Sequence, residues 1–498
     1  MQLKSMMRSK STVILSFTLL FMTNPGLAQK HAGLTPENRQ TAAYGFTDAA
    51  RFGFLPDASG IENTKALQQA VDQTGTIVVS RPGTYKMAGT VYIGSHTSLI
   101  FGNHVFLKKV DEKGAFSHVL VNKGALTKTY DHHITVEGLH IIVNGMDVRK
   151  FEEAYGLHGQ LAFFYVKDLR IDRFRCMDVG KAQYGIHVCT FEDIIINDVI
   201  IKGDKDGVHL GRGKRFTISN GVFQTYDDAI ALNGHDYAVG NPELGWIEDG
   251  VVENCHDLND GKEPIGYFCR ILAGAWIDWQ PGMEVQQSDA VVSNGKIYRV
   301  QAQPDGQVYK SVTQPTHESG SQVLDGINWG MVQSDVTYTA GVRNVVFRDI
   351  FLEKPRTGFS VHFDNDKYSR SYYPGAEIPR QEQLVFDNIR VKYDQPSRLL
   401  SIGTPVDVLT IYNSSLKNNR ISFHGNKAMP DYFKTKINLV GCVFNHQGTM
   451  DLLINNVDGK EVLLKTSSSI EYHDDFRARI VPGNGRISVE SDLSGLKE

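Results

Sequence analysis

Three carboxylates stand about twenty residues apart in one segment of the chain, GDKDGVHLGRGKRFTISNGVFQTYDDAIALNGHD, from Gly203 to Asp236. Asp206 precedes a glycine, and Asp227 and Asp228 follow it by 21 and 22 residues. Helices and hairpins do not repeat at that distance, whereas the coils of a β-solenoid do. Carboxylates held close together raise one another's pKa, so that an acid can stay protonated beside an ionised base. Glycosidic bond cleavage needs this pairing.

The same residue types also have a purely structural interpretation. Asp and Gly are common turn residues, and an Asp side chain in a turn can simply accept hydrogen bonds from backbone amides. Asp227 and Asp228 are also neighbours on the chain and would point to opposite faces of a regular strand. Both can join one cluster only if a turn or bulge lies there. Spacing alone therefore leaves the catalytic and structural interpretations open.

Short segments of alternating apolar residues, each interrupted by Asn, Asp or Gly, recur along the chain. They are LRIDRFR from Leu169, IIINDVII from Ile194, FTISNGVF from Phe216, VVFRDIFL from Val345, LVFDNIRV from Leu384, LTIYNSSL from Leu409 and INLVGCVF from Ile437. The alternation predicts strands, and recurrence after some twenty residues predicts a solenoid. The repeat is too short for a helix pair and lacks the leucine-rich consensus. We predict an all-β fold, a right-handed parallel β-helix.

A helical cap is predicted at the open first coil, because a solenoid must cover its terminal apolar face. The segment from Asp57 contains Ala66, Leu67, Ala70 and Val71 at helical spacing, with Asn63 or Thr64 as the predicted N-cap. The chain then continues into the strand TIVVS and the turn RPGTY.

Residues 273–341 interrupt the rhythm of the repeats. This segment holds three of the four tryptophans and hairpin signals such as SNGK, and it predicts a small all-β module inserted in a loop, which could bind carbohydrate. Trp279, Tyr298 and Trp329 are either stacking platforms for sugar rings or the core of the module. The predicted organisation is a signal peptide over 1–28, β-helix with cap over 29–272, the insert over 273–341 and β-helix over 342–498.

Composition and charge exclude several classes of protein. The chain has 498 residues with 52 basic and 56 acidic side chains, a net charge of −4 and no long run of one sign. A nucleic-acid or membrane-surface protein would need a clustered basic face. The five cysteines predict buried thiols rather than a disulfide framework, with a Cys255–Cys269 bridge as the alternative, and they show no zinc spacing. We therefore expect no metal and no cofactor.

The N-terminus predicts export. Lys4, Arg8 and Lys10 precede an apolar run that ends near Met22, and small residues up to Ala28 mark a cleavage site. The run is shorter than the roughly 20 residues of a membrane span. A periplasmic or extracellular protein without a membrane span is expected; its oligomeric state is left open.

The run DIIINDVIIKGDKDGVHL, followed by FTISNGVFQTYDDAIALN, resembles the core signature of the polygalacturonases, glycoside hydrolase family 28. The segment NTKALQQAVDQTGTIVVSRPGTY is similar to the N-terminal cap of the pectate-lyase-like β-helix superfamily. The resemblance implies that Asp227 is the general acid. It also implies that Asp206 and Asp228 hold and activate the water, with inversion at the anomeric carbon.

This chain departs from the family pattern at several positions. The family's Asn-Thr before the first Asp is replaced by Asp204 and Lys205, and the residue three positions after that Asp, usually another Asp, is His209. The expected Gly-His-Gly motif has only His235 and His256 as candidates, in other contexts.

The Arg-Ile-Lys motif that grips a galacturonate carboxylate in the family is matched in part by CRILAG, in which Arg270 is kept and Leu272 replaces the Lys. The loss of that cation makes a neutral or differently decorated galactose-type sugar at least as good an expectation as polygalacturonate. His187 precedes His209 by 22 residues, so both could line one groove or form a buried polar ladder. The predicted substrate-binding residues are Lys205, His187, His209, His235 and Arg270.

A polar segment from Ser360 predicts a long loop beside the cleft, where His362, Asp364 and Asp366 could contact sugar or bind calcium. The favoured interpretation is an exported glycoside hydrolase that cleaves galacturonate- or galactose-type linkages of a polysaccharide or its oligosaccharides. The alternatives are a β-helix polysaccharide lyase, helped by calcium, and a non-catalytic glycan-binding solenoid such as an adhesin or tail fibre.

Overall fold

The computed structural model describes residues 45–303, 306–365, 369–424, 435–446, 448–456, 461–467, 471–472, 477–481 and 486–491. The chain divides into two units, Met1–Phe46 and Thr47–Glu498. The predicted signal peptide lies outside the described residues. Among the described helices, none is long and apolar enough to cross a membrane.

The second unit is a parallel β-helix, which confirms the predicted fold class. Its coils stack as three rows of parallel strands, and one row carries the site described below; we call it the site row. The site row consists of Val91–Ile93, Leu120–Asn122, the first residues of Leu161–Asp172 and Ile186–Gly203, then Val208–Leu210, Ile230–Asn233, Cys269–Leu272, Phe359–His362, Ser397–Ile402, Asn419–His424, Thr449–Asn456 and Arg477–Val481.

The other two rows complete each coil. The second row consists of Gly75–Val79, Thr97–Phe101, Asp131–Glu137, the last part of Leu161–Asp172, the middle of Ile186–Gly203, the first part of the later long strands, Val408–Tyr412, Thr435–Val440, Glu461–Ser467 and Arg486–Ser491. The third consists of Gly83–Met87, Val105–Lys109, His140–Ile142, Arg175–Val179, the ends of the long strands from Ile186–Gly203 onward, Ser415–Leu416, Val443–Phe444 and Glu471–Tyr472. The long strands, which bend from row to row, are Leu161–Asp172, Ile186–Gly203, Gly213–Thr225, Trp246–Asp257, Thr339–Leu352 and Glu382–Val391.

The repeats found in the sequence stack in register, as predicted. One buried column runs through Leu169, Ile194, Phe216, Gly250, Val345, Leu384, Leu409 and Ile437. The sequence pattern missed the coil of Trp246–Asp257, because a glycine stands at its core position. The Phe216 ring fills that space: a Cβ on Gly250 would lie 2.0 Å from it.

The Asn and Asp residues within the repeats form the bends between rows. Left-handed backbone conformations occur at Asp198, Asn220, Asn254, Asp349, Asn388 and Asn413, with φ between 45° and 55°. Asn and Asp tolerate this region better than most residues with a Cβ. The repeated polar position is therefore a conformational requirement of each coil.

The predicted helix covers the first coil, but its N-cap was wrong. The helix runs Gly60–Val71 and buries Ala66, Leu67, Ala70 and Val71 as predicted. Its N-cap is Ser59, whose side chain accepts a hydrogen bond from the Glu62 amide, while the Glu62 carboxylate accepts one from the Ser59 amide. Asn63 instead lies inside the helix, where its side-chain Oδ1 accepts a hydrogen bond from the Leu55 amide.

Strands of the 273–341 segment form sheets of their own. Ile277–Asp278, Ala290–Ser293, Lys296–Val300, Ser321–Leu324 and Ile327–Gln333 make a five-stranded sheet, and Met283–Val285 pairs with Tyr309–Ser311. Gly274–Ala275 pairs with the start of Thr339–Leu352. Tyr298 and Trp329 are fully buried and Trp279 packs partly buried against them, which favours the core interpretation of these aromatics.

All five cysteines are buried free thiols, as expected, and the alternative Cys255–Cys269 bridge is not formed.

We predict that Ser59→Ala lowers the free energy of unfolding by about 1 kcal/mol, because the helix loses its N-cap. Equilibrium urea unfolding measures the loss. Gln69→Ala, at an exposed position of the same helix, is the control. Equal stability of the two variants would contradict the assignment of Ser59 as the cap.

Candidate functional site

The fold brings the three predicted carboxylates together. Asp206 and Asp228 each precede a strand of the site row, and the Gly207 amide donates to the Asp228 carbonyl, so the two residues stack one coil apart. Oxygen atoms of Asp206, Asp227 and Asp228 all lie within 4.8 Å of one another. The stacking follows directly from the 22-residue coil.

Asp227 and Asp228 both join the cluster because they lie on a bend rather than on a regular strand. Arg356 fixes this bend. Its guanidinium donates to the backbone carbonyl of Asp227 at 2.7 Å and also pairs with the buried Asp257 carboxylate at 2.7 Å. Thr225 donates from its hydroxyl to the same carbonyl at 3.0 Å. The turn required by the sequence argument is therefore present.

Asp206 is the ionised member of the cluster. Burial by itself would raise its pKa, but the Lys205 charge and a hydrogen bond from His209 outweigh burial and lower the pKa below the usual value. The Asp206 Oδ2 atom lies 2.9 Å from His209 Nδ1. Its other oxygen, Oδ1, is buried and makes no hydrogen bond within the described part of the chain. That oxygen can accept a proton from a water molecule or a ligand.

The pKa values of Asp227 and Asp228 are shifted in the opposite direction, upward. Burial raises the pKa of Asp227, and the negative charge of Asp206 raises it further against the opposing charge of Lys205. Burial and the charges of both neighbours raise the pKa of Asp228 well above its usual value. The Asp228 Oδ1 atom accepts a hydrogen bond from the Tyr267 amide at 2.8 Å. The cluster thus combines one carboxylate whose pKa is lowered with two carboxyls whose pKa values are raised.

The three carboxylates differ in the exposed fraction of their side chains. The Asp227 side chain is 16% exposed, and that of Asp206 is 6% exposed. Asp228 is buried. Asp227 is therefore the member of the cluster best placed to meet a ligand.

Lys205 is the cation of the cluster. Its ammonium contacts Asp227 Oδ2 and lies 3.8 Å from Asp206 Oδ1. Burial alone would lower the Lys205 pKa, but the charges of Asp206 and Asp227 outweigh it and raise the pKa. The three carboxylates lie close enough together to hold a divalent cation, and the Lys205 ammonium already supplies positive charge at that position.

His209 connects the cluster to a second buried acid, Asp236. Its Nδ1 faces Asp206, and its Nε2 lies 3.3 Å from Asp236 Oδ2. The Tyr184 ring stacks on the imidazole with 4.2 Å between centroids and an interplanar angle of 6°. This packing fixes the ring between the two carboxylates, so His209 positions Asp206 and is itself 1% exposed.

Arg270 continues the buried charge network. Its guanidinium lies 2.5 Å from Asp364 Oδ2 and 3.5 Å from Asp236 Oδ1. Burial alone would raise the Asp364 pKa, but the charge of Arg270 and a hydrogen bond from His362 outweigh it and lower the pKa. Two acids, Asp236 and Asp364, thus hold Arg270, and its predicted role in substrate binding stays a prediction.

The remaining predicted histidines lie inside the protein. His187 stacks beside His209 in the site row, where its Nδ1 accepts from the His158 amide at 2.9 Å and its Nε2 lies 3.0 Å from Asn241 Oδ1. It forms the polar ladder that the sequence offered as the alternative to a groove role. His235 is buried with its ring 5.8 Å from that of Trp276.

The segment from Ser360 was predicted as a loop, but its first residues belong to the strand Phe359–His362. His362 Nε2 lies 3.2 Å from Asp364 Oδ1. Asp366 lies outside the described residues. Sequence reasoning left the role of Asp364 open and missed Asp236 and Tyr184, although the need of a buried Arg270 for acidic partners is a usable signal.

Two cavities flank the carboxylates and share Lys205, and together we call them the groove. One, of about 440 Å³, is lined by Lys205 and Asp227 together with Lys181, Tyr226 and Lys262. The other, of about 400 Å³, is lined by Lys205 together with Arg149, Tyr184, Tyr237 and Gln287. Gln287 belongs to the 273–341 segment, which therefore forms part of one wall of the groove.

The same segment also fixes the wall residues 236–241. Arg299 is buried, and its guanidinium donates to the carbonyls of Ala238 at 3.0 Å and Asn241 at 2.6 Å. The Ser288 hydroxyl accepts from the Ala238 amide at 2.8 Å. The loop that carries Asp236 is thus held from both sides.

No family model matches this chain, and no curated protein matches it. Among solved structures, the catalytic unit of a thermostable GH87 α-1,3-glucanase from Streptomyces thermodiastaticus is similar at 12% identity and a TM-score of 0.49, over 91% of this chain and 69% of that one. The family 28 exopolygalacturonase of Yersinia enterocolitica is similar at 12% identity and a TM-score of 0.43, over 89% and 78%.

A tailspike protein of E. coli bacteriophage HK620 is similar at 7% identity and a TM-score of 0.44, over 89% of this chain and 77% of that one. At these values the similarities assign neither a family nor an activity to the chain. Its function has to be inferred from the geometry of the site.

We predict that Asp228→Asn raises the melting temperature at pH 7 and has little effect near pH 4. The folded-state pKa of Asp228 is raised, so the wild type loses stability as pH rises from the unfolded-state pKa of about 4 through the folded-state pKa. Asn removes this loss and keeps the oxygen that accepts from the Tyr267 amide. Thermal unfolding at both pH values, with exposed Asp57→Asn as control, measures it. A lower melting temperature at pH 7 would contradict the raised pKa.

Proposed function

We propose that this protein is an exported glycoside hydrolase that cleaves galacturonate- or galactose-type linkages of a polysaccharide or its oligosaccharides. The observation that carries the proposal is the cluster of Asp206, Asp227 and Asp228, in which the pKa of Asp206 is lowered and the pKa values of Asp227 and Asp228 are raised. Glycosidic bond cleavage needs that division of roles beside an open groove.

Asp227 is the proposed general acid. It is the most accessible carboxyl of the cluster and lines the groove. Its proton passes to the glycosidic oxygen as the bond from that oxygen to the anomeric carbon breaks. Lys205, which contacts Asp227, supplies positive charge beside the leaving oxygen and the sugar hydroxyls.

Asp206 and Asp228 are the proposed holders of the water. They stack in register one coil apart, and the Asp206 Oδ1 atom needs a donor. A water between them attacks the anomeric carbon from the face opposite the leaving oxygen and gives its proton to Asp206. His209 keeps Asp206 ionised for this step through its hydrogen bond.

We propose that the configuration at the anomeric carbon is inverted. The carboxylates lie closer together than inverting enzymes usually hold them. Inverting enzymes usually hold their carboxyls ~6.5–9.5 Å apart and retaining enzymes ~5–5.5 Å. The oxygens here lie within 4.8 Å of one another. The third carboxylate is the reason to propose inversion, because two acceptors can hold one water while Asp227 serves the leaving oxygen. The configuration of the first product decides the question.

We predict that Asp227→Asn lowers kcat by at least ~100-fold, because the general acid is lost. The assay incubates pectic, galactan and carrageenan-type oligosaccharides with each protein and follows new reducing ends and their anomeric configuration by NMR. Loss of activity should be smallest on aryl glycosides whose leaving group needs no proton.

Asp394→Asn changes an exposed carboxylate and is the matched control. Equal turnover by Asp227→Asn and wild type would remove Asp227 from the mechanism. A wild type that binds these glycans but cleaves none would favour the glycan-binding solenoid.

We predict that activity survives dialysis against EDTA, because the Lys205 ammonium already supplies the positive charge among the carboxylates. Reducing-end release before and after chelation is the measurement, and ultraviolet absorbance is recorded in parallel to detect an unsaturated product. Chelator-sensitive release of an ultraviolet-absorbing product would instead identify a calcium-dependent polysaccharide lyase.

A further inference from the structure

A third cavity, of about 400 Å³, opens along the site row on the C-terminal side of the carboxylates. Its charged and titratable lining consists of Arg398, Arg420, His362 and His424, and we call it the cationic pocket. Tyr267 also lines it, and the amide of Tyr267 donates to Asp228. The pocket therefore adjoins the carboxylate cluster along the groove.

The two arginines of the cationic pocket stand directly above one another. Arg398 and Arg420 are register partners on adjacent strands, so their backbones lie one coil, about 4.8 Å, apart. Positive side chains on stacked residues repel each other, and an anion bound between them offsets that repulsion. The described residues that line the pocket include no carboxylate. The nearby Asp364 carboxylate faces Arg270 at 2.5 Å and His362 at 3.2 Å.

The two histidines pack closely against a glycine. A Cβ on Gly403 would lie 2.9 Å from His424 Nε2 and 3.3 Å from His362 Cβ, so these two side chains already occupy the space of a side chain at position 403. Burial, together with the charges of His362 and Arg398, lowers the pKa of His424 to about 4. The surroundings of His424 are thus cationic.

Hydroxyl groups complete the pocket. Ser360, Ser401 and Ser422 are register partners in successive coils and line it together. Hydroxyls and guanidinium groups are donors suited to oxygen atoms of an anion, and arginine in particular binds planar or tetrahedral oxyanions through paired N–H groups.

We propose that the cationic pocket binds an anionic substituent of the saccharide, a uronate carboxylate or a sulfate ester. The inference rests on the proposed function in taking the groove as the path of a glycan. From the strand Ile230–Asn233 to Ser397–Ile402 there are three coil steps, about 14 Å. A ligand that reaches both the carboxylates and the pocket is therefore an oligosaccharide.

The test titrates D-galacturonate, D-galactose 6-sulfate and D-galactose into the full chain at low salt, with binding followed by saturation-transfer NMR. We expect at least one anionic sugar to bind the wild type more tightly than galactose. The double variant R398Q/R420Q should weaken that binding at least tenfold, whereas Arg420→Lys, which keeps the charge but loses the paired N–H donors, should weaken it less. Preference for the carboxylate or for the sulfate identifies the substituent.

Arg390→Gln, at an exposed position on an adjoining coil, is the control for the loss of one positive charge. Melting temperatures of all variants establish that they fold. Equal affinity for galactose and both anionic sugars, or unchanged affinity in R398Q/R420Q, would overturn the proposal. Asp227→Asn should bind the anionic sugars as the wild type does, so the pocket and the hydrolase mechanism fail or stand separately.

Discussion

The site depends on one constraint: side chains in adjacent coils of a parallel β-helix stand directly above one another, so a charge buried in one coil must be balanced by the next. Polar partners follow this constraint: His209 lies between Asp206 of its own coil and Asp236 of the next, and Arg270 lies against Asp364 of the coil after it. Arg270 also contacts Asp236, so each of these side chains has a polar partner. The ladder thus fixes side chains that could not remain charged alone.

The local balance of charge explains why the three carboxylates differ. Lys205 and His209 both act on Asp206, so its pKa falls in spite of burial. Burial and two acidic neighbours raise the pKa of Asp228. Arg270, a cation whose charge lowers that pKa, is engaged by Asp364 and Asp236. The same stacking that brings the groups together therefore divides them into base and acid. In the proposed mechanism, proton donation and water activation are two results of one arrangement.

The period of the sequence repeats predicted which residues stack only where the coils keep a nearly constant length. The 22-residue step between Asp206 and Asp228 predicted their contact, and the alternating segments predicted the register of the core column. Two loops remove this signal, since 39 residues separate the register partners Ala231 and Arg270, and 90 separate Arg270 from Ser360. The partners of Arg270 depend on those loops, so counting residues could not find them.

The charged groups follow a fixed order along the groove, so the two ends of the groove differ. The carboxylate cluster belongs to the coils of Asp206 and Asp228, and the arginine pair Arg398 and Arg420 belongs to later coils of the same row. At the other end, the segment held by Arg299 forms part of the wall. An elongated ligand with one anionic group gains from this asymmetry in only one of its two orientations. In the proposed function, an oligosaccharide has distinct reducing and non-reducing ends, so the order of charges along the helix selects which linkage reaches Asp227.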